Sequence, residues 1–240
     1  MARKGFLKED NKDDNIDWSK LDTNLQAGGG LKSKASIFAG RLFSIVKLIV
    51  GLCFLSFVYS GSVGFLKELG LIEPLLRRYF WSGIISFTLI YLFIFEPARI
   101  YQKGQKLLGL IFKFFAPLVK VAPYVLPIYT IIIFSLYPLF LWIFNSKEPA
   151  VTNYFIFLGG FSWALHLIFS AKSLRSRQGD FLKANYIFGF SLVYIINLIL
   201  IAICLSLIIK DFSFIHFFDG SFQAAKNIFK AIFKQIFIPA

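Results

Sequence analysis

The sequence predicts an all-α protein, a polytopic bundle of transmembrane helices with about five spans and two basic amphipathic helices at the membrane interface. Three observations predict it. Of 240 residues, 57% are hydrophobic and 16% charged, whereas soluble domains run about 45–50% apolar and about 25% charged. The apolar residues gather into five uncharged runs separated by basic segments. The runs are continuous rather than alternating, which selects helix over barrel strand, because backbone polar groups in lipid must be satisfied within the segment.

The runs are Leu48–Leu66, Tyr79–Phe95, Val121–Ser146, Pro149–Ala171 and Ala184–Ile209. A helix needs about 20 residues to cross the hydrocarbon layer, with a range of roughly 17–25. The second run is the shortest, and Arg77 and Arg78 can snorkel at its start. The third contains Pro123, Pro127 and Pro138. Each proline removes a backbone donor, so a kinked or partly re-entrant third span is expected.

Residues 1–34 precede the first run. They are polar and mixed in charge, the composition of a disordered tail. No cleavable signal peptide is expected, so the first span must itself address the membrane. Within the tail, Trp18, Leu21 and Leu25 fall at helical spacing in the stretch Asn15–Gln26, with Asp14 or Asp17 as a cap. Gly28, Gly29 and Gly30 follow as a hinge. This pattern suits a short helix at 15–26 that docks on a partner.

Orientation follows from basic residues near span ends. The chain ahead of the first run carries eight up to Arg41, the segment between the second and third runs five, and the segment between the fourth and fifth four. With the N-terminus inside, 17 basic residues fall on the inner side and 8 on the outer, leaving aside Lys47 at the membrane edge. This predicts an inside N-terminus, with the bacterial inner membrane as the expected location. The C-terminal segment holds Lys210, Lys226, Lys230 and Lys234 and would fall outside. A sixth span within Leu107–Ala122 would bring it back, but that segment contains Lys113 and Lys120.

The interfacial helices come from periodicity. In the segment 98–120, Arg99, Lys106, Lys113 and Lys120 recur every seven residues with Lys103 beside them. At about 100° per residue these share one face, opposite Tyr101, Leu108, Ile111 and Phe115. Pro97 suits the first turn and Glu96 the positive end. A helix of this kind lies in the interface, its basic residues toward phosphate. The second lies in the C-terminal segment 212–240. Over Ser221–Phe237, Phe222, Phe229, Ile232 and Phe233 oppose Lys230 and Lys234, with Asp219 or Ser221 as the expected cap. Both basic rows are candidate contacts to lipid or to a partner.

Residues with chemical capacity are few. Cys53 and Cys204 lie in apolar runs without ligand spacing and read as small buried hydrophobes. His166 and His216 form no cluster, and no span has a central Asp or Glu, so neither a metal nor a cofactor is expected. His166 in the fourth span and Asn197 in the fifth are the candidate transport residues. Ser56, Ser60 and Gly64, and likewise Gly160 and Ala164, recur at four-residue spacing and suit close helix packing. The net charge of +13 is assigned to topology and anionic head groups rather than to nucleic acid.

No motif rises above the membrane assignment. The expectation is a non-enzymatic membrane subunit that anchors or assembles a larger complex, with the lipid bilayer and other membrane subunits as partners. The alternative is a small transporter or channel with a site near His166 and the proline-broken third span.

Overall fold

The computed structural model describes residues 18–144, 149–176 and 186–237, and every regular element among them is helical. The chain forms two compact units, Met1–Ile45 and Val46–Ala240. The described part of the first unit belongs to helix α1, Trp18–Leu71. The tail expected to be disordered is therefore helical from Trp18 onward, and the expected glycine hinge lies within that helix. Leu, Ala, Gln and Lys favour helix, and this outweighs a cost of about 1 kcal/mol for each of Gly28, Gly29 and Gly30. Asn15 to Asp17, and the side chains of Trp18, Leu21 and Leu25, lie outside the described residues.

Three helices are long and apolar enough to cross a membrane. They are Ile49–Leu71 within α1, Pro149–Arg175 within α6 (Pro149–Ser176), and α7 (Tyr186–Ile208). They correspond to the first, fourth and fifth apolar runs. The second run forms α2 (Pro74–Leu89), continued by a π-helix at Ile90–Ile94. Pro74 sits in the first turn of α2, where its missing N–H leaves no bond unmade.

The third run does not form one helix. It contributes the end of α4 (Ala116–Val125) and the whole of α5 (Ile128–Phe144). Pro127 forms the break and forces Leu126 before it into an extended conformation, φ −94° and ψ 121°. Pro123 and Pro138 remain inside helices.

The continuous helix expected over 98–120 is likewise two. Helix α3 covers Ala98–Ile111, residues 112–115 turn, and α4 follows. Pro117 explains the division: in an unbroken helix its ring would meet the carbonyl of Lys113. The C-terminal helix α8 covers Phe214–Phe237 and so begins ahead of Asp219 and Ser221. Its cap is Ser213 instead, whose Oγ accepts from the His216 N–H at 3.3 Å.

In the unit Val46–Ala240, ring and hydroxyl contacts fix the helix directions. α2 runs parallel to α6, pairing Phe80 with Trp163 (6.1 Å between ring centroids) and Tyr91 with Phe169 (5.7 Å). The apolar part of α1 runs parallel to α7, through Phe54 with Phe188 (5.5 Å) and Ser62 Oγ with Tyr194 OH (2.9 Å). α5 is antiparallel to α6, through Thr130 Oγ1 with Ser162 Oγ (3.0 Å) and Tyr137 OH with Thr152 Oγ1 (2.9 Å).

α6 is the most enclosed of the three long apolar helices, and α1 the least. α2 and α6 approach most closely at two glycines. A Cβ on Gly83 would strike the Phe157 carbonyl, and one on Gly160 would strike the Phe80 carbonyl. Phe65, Phe80, Ile156, Trp163, Ile201 and Leu205 form the main apolar core around them.

Candidate functional site

The polar interior is organised by the break at Pro127. A helix leaves its last carbonyls without intrahelical donors. Here Pro127 has no N–H to offer the Pro123 carbonyl. The Ile128 N–H turns instead to Leu126 O at 2.9 Å, which deprives Tyr124 O of its partner. All three residues at this helix end, Pro123, Tyr124 and Val125, are buried.

Side chains from three other helices supply the missing donors. Tyr101 of α3 donates to Pro123 O at 3.4 Å. Ser170 of α6 donates to Tyr124 O at 3.0 Å. Asn197 of α7 donates through Nδ2 to Val125 O at 2.8 Å and to Val193 O within its own helix at 2.8 Å. His166 Nε2 lies 3.2 Å from Ser170 Oγ, and its ring also reaches the Tyr124 and Val125 carbonyls. Tyr101 OH and Ser170 Oγ are 3.1 Å apart and close the network. Burial raises the Tyr101 phenol above its ordinary pKa, so it stays a neutral donor. The Asn197 Oδ1 has no partner among the described residues.

The structure thus brings His166 and Asn197 together at the proline break, where each holds backbone. Tyr101 and Ser170 complete the same constellation and have no sequence signal of their own. Ser60, Gly64, Gly160 and Ala164 are buried and Ser56 is half-buried. Gly64 packs on Phe217 and Ser221 of α8, so these small-residue faces serve packing within the chain. Glu68 near the end of α1 is buried, and its Oε2 has no partner among the described residues. A carboxylate at a span end escaped a search confined to span centres.

The basic rows behave differently from one another. Arg99, Lys103 and Lys106 are exposed on α3, and Lys113 is exposed in the turn after it. α3 buries Tyr101, Gly104 and Leu108 against the bundle and leaves Leu107, Leu110 and Ile111 exposed. Lys120 belongs to α4, with its side chain outside the described residues. Lys230 and Lys234 are exposed on α8.

A polar cleft of about 380 Å³ opens beside the network, with Glu96, Gln102, Gln105, Lys172 and Ser173 around it and Tyr101 at its floor. Lys172 Nζ donates to Glu96 Oε1 across its mouth. Among the described residues, no three His, Cys, Asp or Glu side chains are grouped to hold a metal ion. Comparison with known protein families, curated proteins and solved structures finds no match to this chain.

Proposed function

We propose that this chain is a non-enzymatic integral membrane subunit that crosses the bilayer five times and anchors or assembles a larger membrane complex. The observation that carries this reading is the outward face of α1. Leu52, Leu55, Tyr59, Val63 and Leu66 recur at three- and four-residue spacing and are all exposed. That apolar stripe, on the least enclosed of the long apolar helices, suits a second membrane helix. The interior polar groups are meanwhile committed to the backbone of the broken helix rather than gathered around a vacant reaction centre.

The helix directions support five crossings. The apolar part of α1, then α2 with its π-helix, α5, α6 and α7 alternate in direction along the chain, as successive crossings require. α2 and the π-helix together cover Pro74–Ile94, long enough to cross. The bias of basic residues puts the N-terminus inside, with α3 at the inner surface. Purification of the intact chain from its native membrane in mild detergent tests the assembly role. Defined membrane proteins should co-purify, and Tyr59→Arg should release them. A solitary, monodisperse monomer would overturn it.

A second reading, a small transporter or channel, is favoured by one observation: the polar cleft ends on Tyr101, which leads through Ser170 to His166. Labelling of Ser173→Cys and Ser170→Cys by a water-soluble thiol reagent tests it. Reaction at position 170 as fast as at 173 would support a path toward His166. Protection at 170 would leave a closed structural network.

A further inference from the structure

The expectation of an interfacial α8 takes no account of where that helix packs. Its first turns meet α1 where Phe217 faces Phe65, with ring centroids 6.3 Å apart. Three turns later Phe229 faces Phe57 at 5.5 Å. α8 therefore turns back antiparallel along the apolar part of α1 instead of lying flat. Between them runs a groove of about 590 Å³, floored by Phe57, Phe222, Ala225, Phe229 and Phe233. A narrower cavity of about 170 Å³ shares Phe57 and Phe222 and extends it toward Leu198 of α7.

Lys226, Lys230 and Lys234 line this groove at four-residue spacing, and among the described residues no acidic side chain lines it with them. Ammonium groups beside a transmembrane helix require an anion or a route to water. An apolar slot with a cationic edge matches one amphiphile in both parts, a long apolar chain carrying a phosphate. We infer that the groove between α1 and α8 is a binding site for an anionic phospholipid, its acyl chain against the four phenylalanines and its phosphate on the three lysines. With the N-terminus inside, Phe57 lies in the inner half of the α1 span, so α8 re-enters the bilayer from the outer side after the five crossings and brings its lysines to the inner half instead of leaving them outside. The inner leaflet is the anionic one in many cells. The volume falls within the range of sites that enclose small ligands, roughly 300–1,000 Å³.

The inference rests on the chain lying in a bilayer and not on its membership of a complex, which the co-purification experiment decides separately. The intact protein is reconstituted with spin-labelled phosphatidylglycerol or with phosphatidylcholine of the same acyl chains, and the motionally restricted lipid is measured. Wild type should restrict phosphatidylglycerol several-fold more than phosphatidylcholine. The preference should fall stepwise along the series Lys226→Gln, Lys230→Gln and Lys234→Gln and vanish in the triple variant. The triple Lys→Arg variant should keep it. Equal restriction of the two lipids by wild type overturns the proposal, as does a preference that survives the triple glutamine variant in a helical, folded protein. A photocrosslinker at position 233 should capture lipid; capture of this chain's own N-terminal residues, of a second copy or of another protein would overturn it too.

Discussion

Asn197 donates to the carbonyl oxygen of Val125 at 2.8 Å, joining α7 to the end of a helix 72 residues earlier in the chain. A fully buried side-chain amide that donates to the carbonyl of a buried residue holds more than its own bond. It fixes the depth at which α7 packs beside the break at Pro127. Replacing Asn197 with Leu should destabilise the bundle by about 1–3 kcal/mol, because the buried Val125 carbonyl loses its donor. Reversible unfolding in mixed micelles measures the change, and an unchanged midpoint would mean the bond contributes nothing.

The two glycines between α2 and α6 make a sharper case. Gly83→Leu should cost at least about 1–3 kcal/mol, because the side chain meets the rigid Phe157 backbone. Gly160→Leu should act alike from the other helix, against the Phe80 carbonyl. A Cβ at Gly70 meets nothing within 4 Å, so Gly70→Ala should not lower the unfolding midpoint. All three read out in the same unfolding assay.

The ion pair at the cleft mouth should behave in the opposite way. Lys172 and Glu96 are both exposed, and exposed pairs add little because water screens them and ordering long side chains costs entropy. Lys172→Met should therefore leave the melting temperature unchanged within scatter. A clear drop would show that the pair holds the cleft shut.

Glu68 offers a gain rather than a loss. Its Oε2 is buried without a partner among the described residues. Replacing it with Met should remove a desolvation cost and stabilise the protein by about 1 kcal/mol or more. A stabilised variant that no longer recovers its membrane partners would give this carboxylate a role in assembly.

Five crossings make a labelling prediction. In a chain whose Cys53 and Cys204 are replaced by Ser, single cysteines at Lys106 and Arg175 should react with an impermeant reagent from the inner side. A cysteine at Glu73 should react from the outer side. Reaction of positions 73 and 175 from the same side would rule out the five-crossing arrangement.

Much of the architecture was legible because hydropathy needs no knowledge of partners. The runs beginning at Leu48, Pro149 and Ala184 became Ile49–Leu71, Pro149–Arg175 and Tyr186–Ile208 with ends shifted by a few residues. Proline chemistry was legible in kind but not in place. Three prolines fell in the third run and only Pro127 breaks it, where the carbonyls of 123 to 125 meet donors from other helices. Those donors were the illegible part. Tyr101, Ser170 and Asn197 are widely separated in sequence, and nothing local to any of them announces a carbonyl elsewhere. Periodicity likewise could not place α8 beside α1, which the ring pairs Phe57 with Phe229 and Phe65 with Phe217 do.

The break at Pro127 also bears on the order in which the chain is built. During synthesis, α4 and α5 leave the ribosome before α6 and α7 exist. Until then the Tyr124 and Val125 carbonyls have neither Ser170 nor Asn197 to meet them, and unpaired carbonyls are costly in hydrocarbon. If the third hydrophobic segment crosses the membrane, it should stay near the aqueous channel of the insertion machinery until the fourth and fifth arrive. Its entry into lipid should be a late event, and in a nascent chain arrested before Tyr186 a photocrosslinker placed in α5 should capture the insertion machinery rather than lipid.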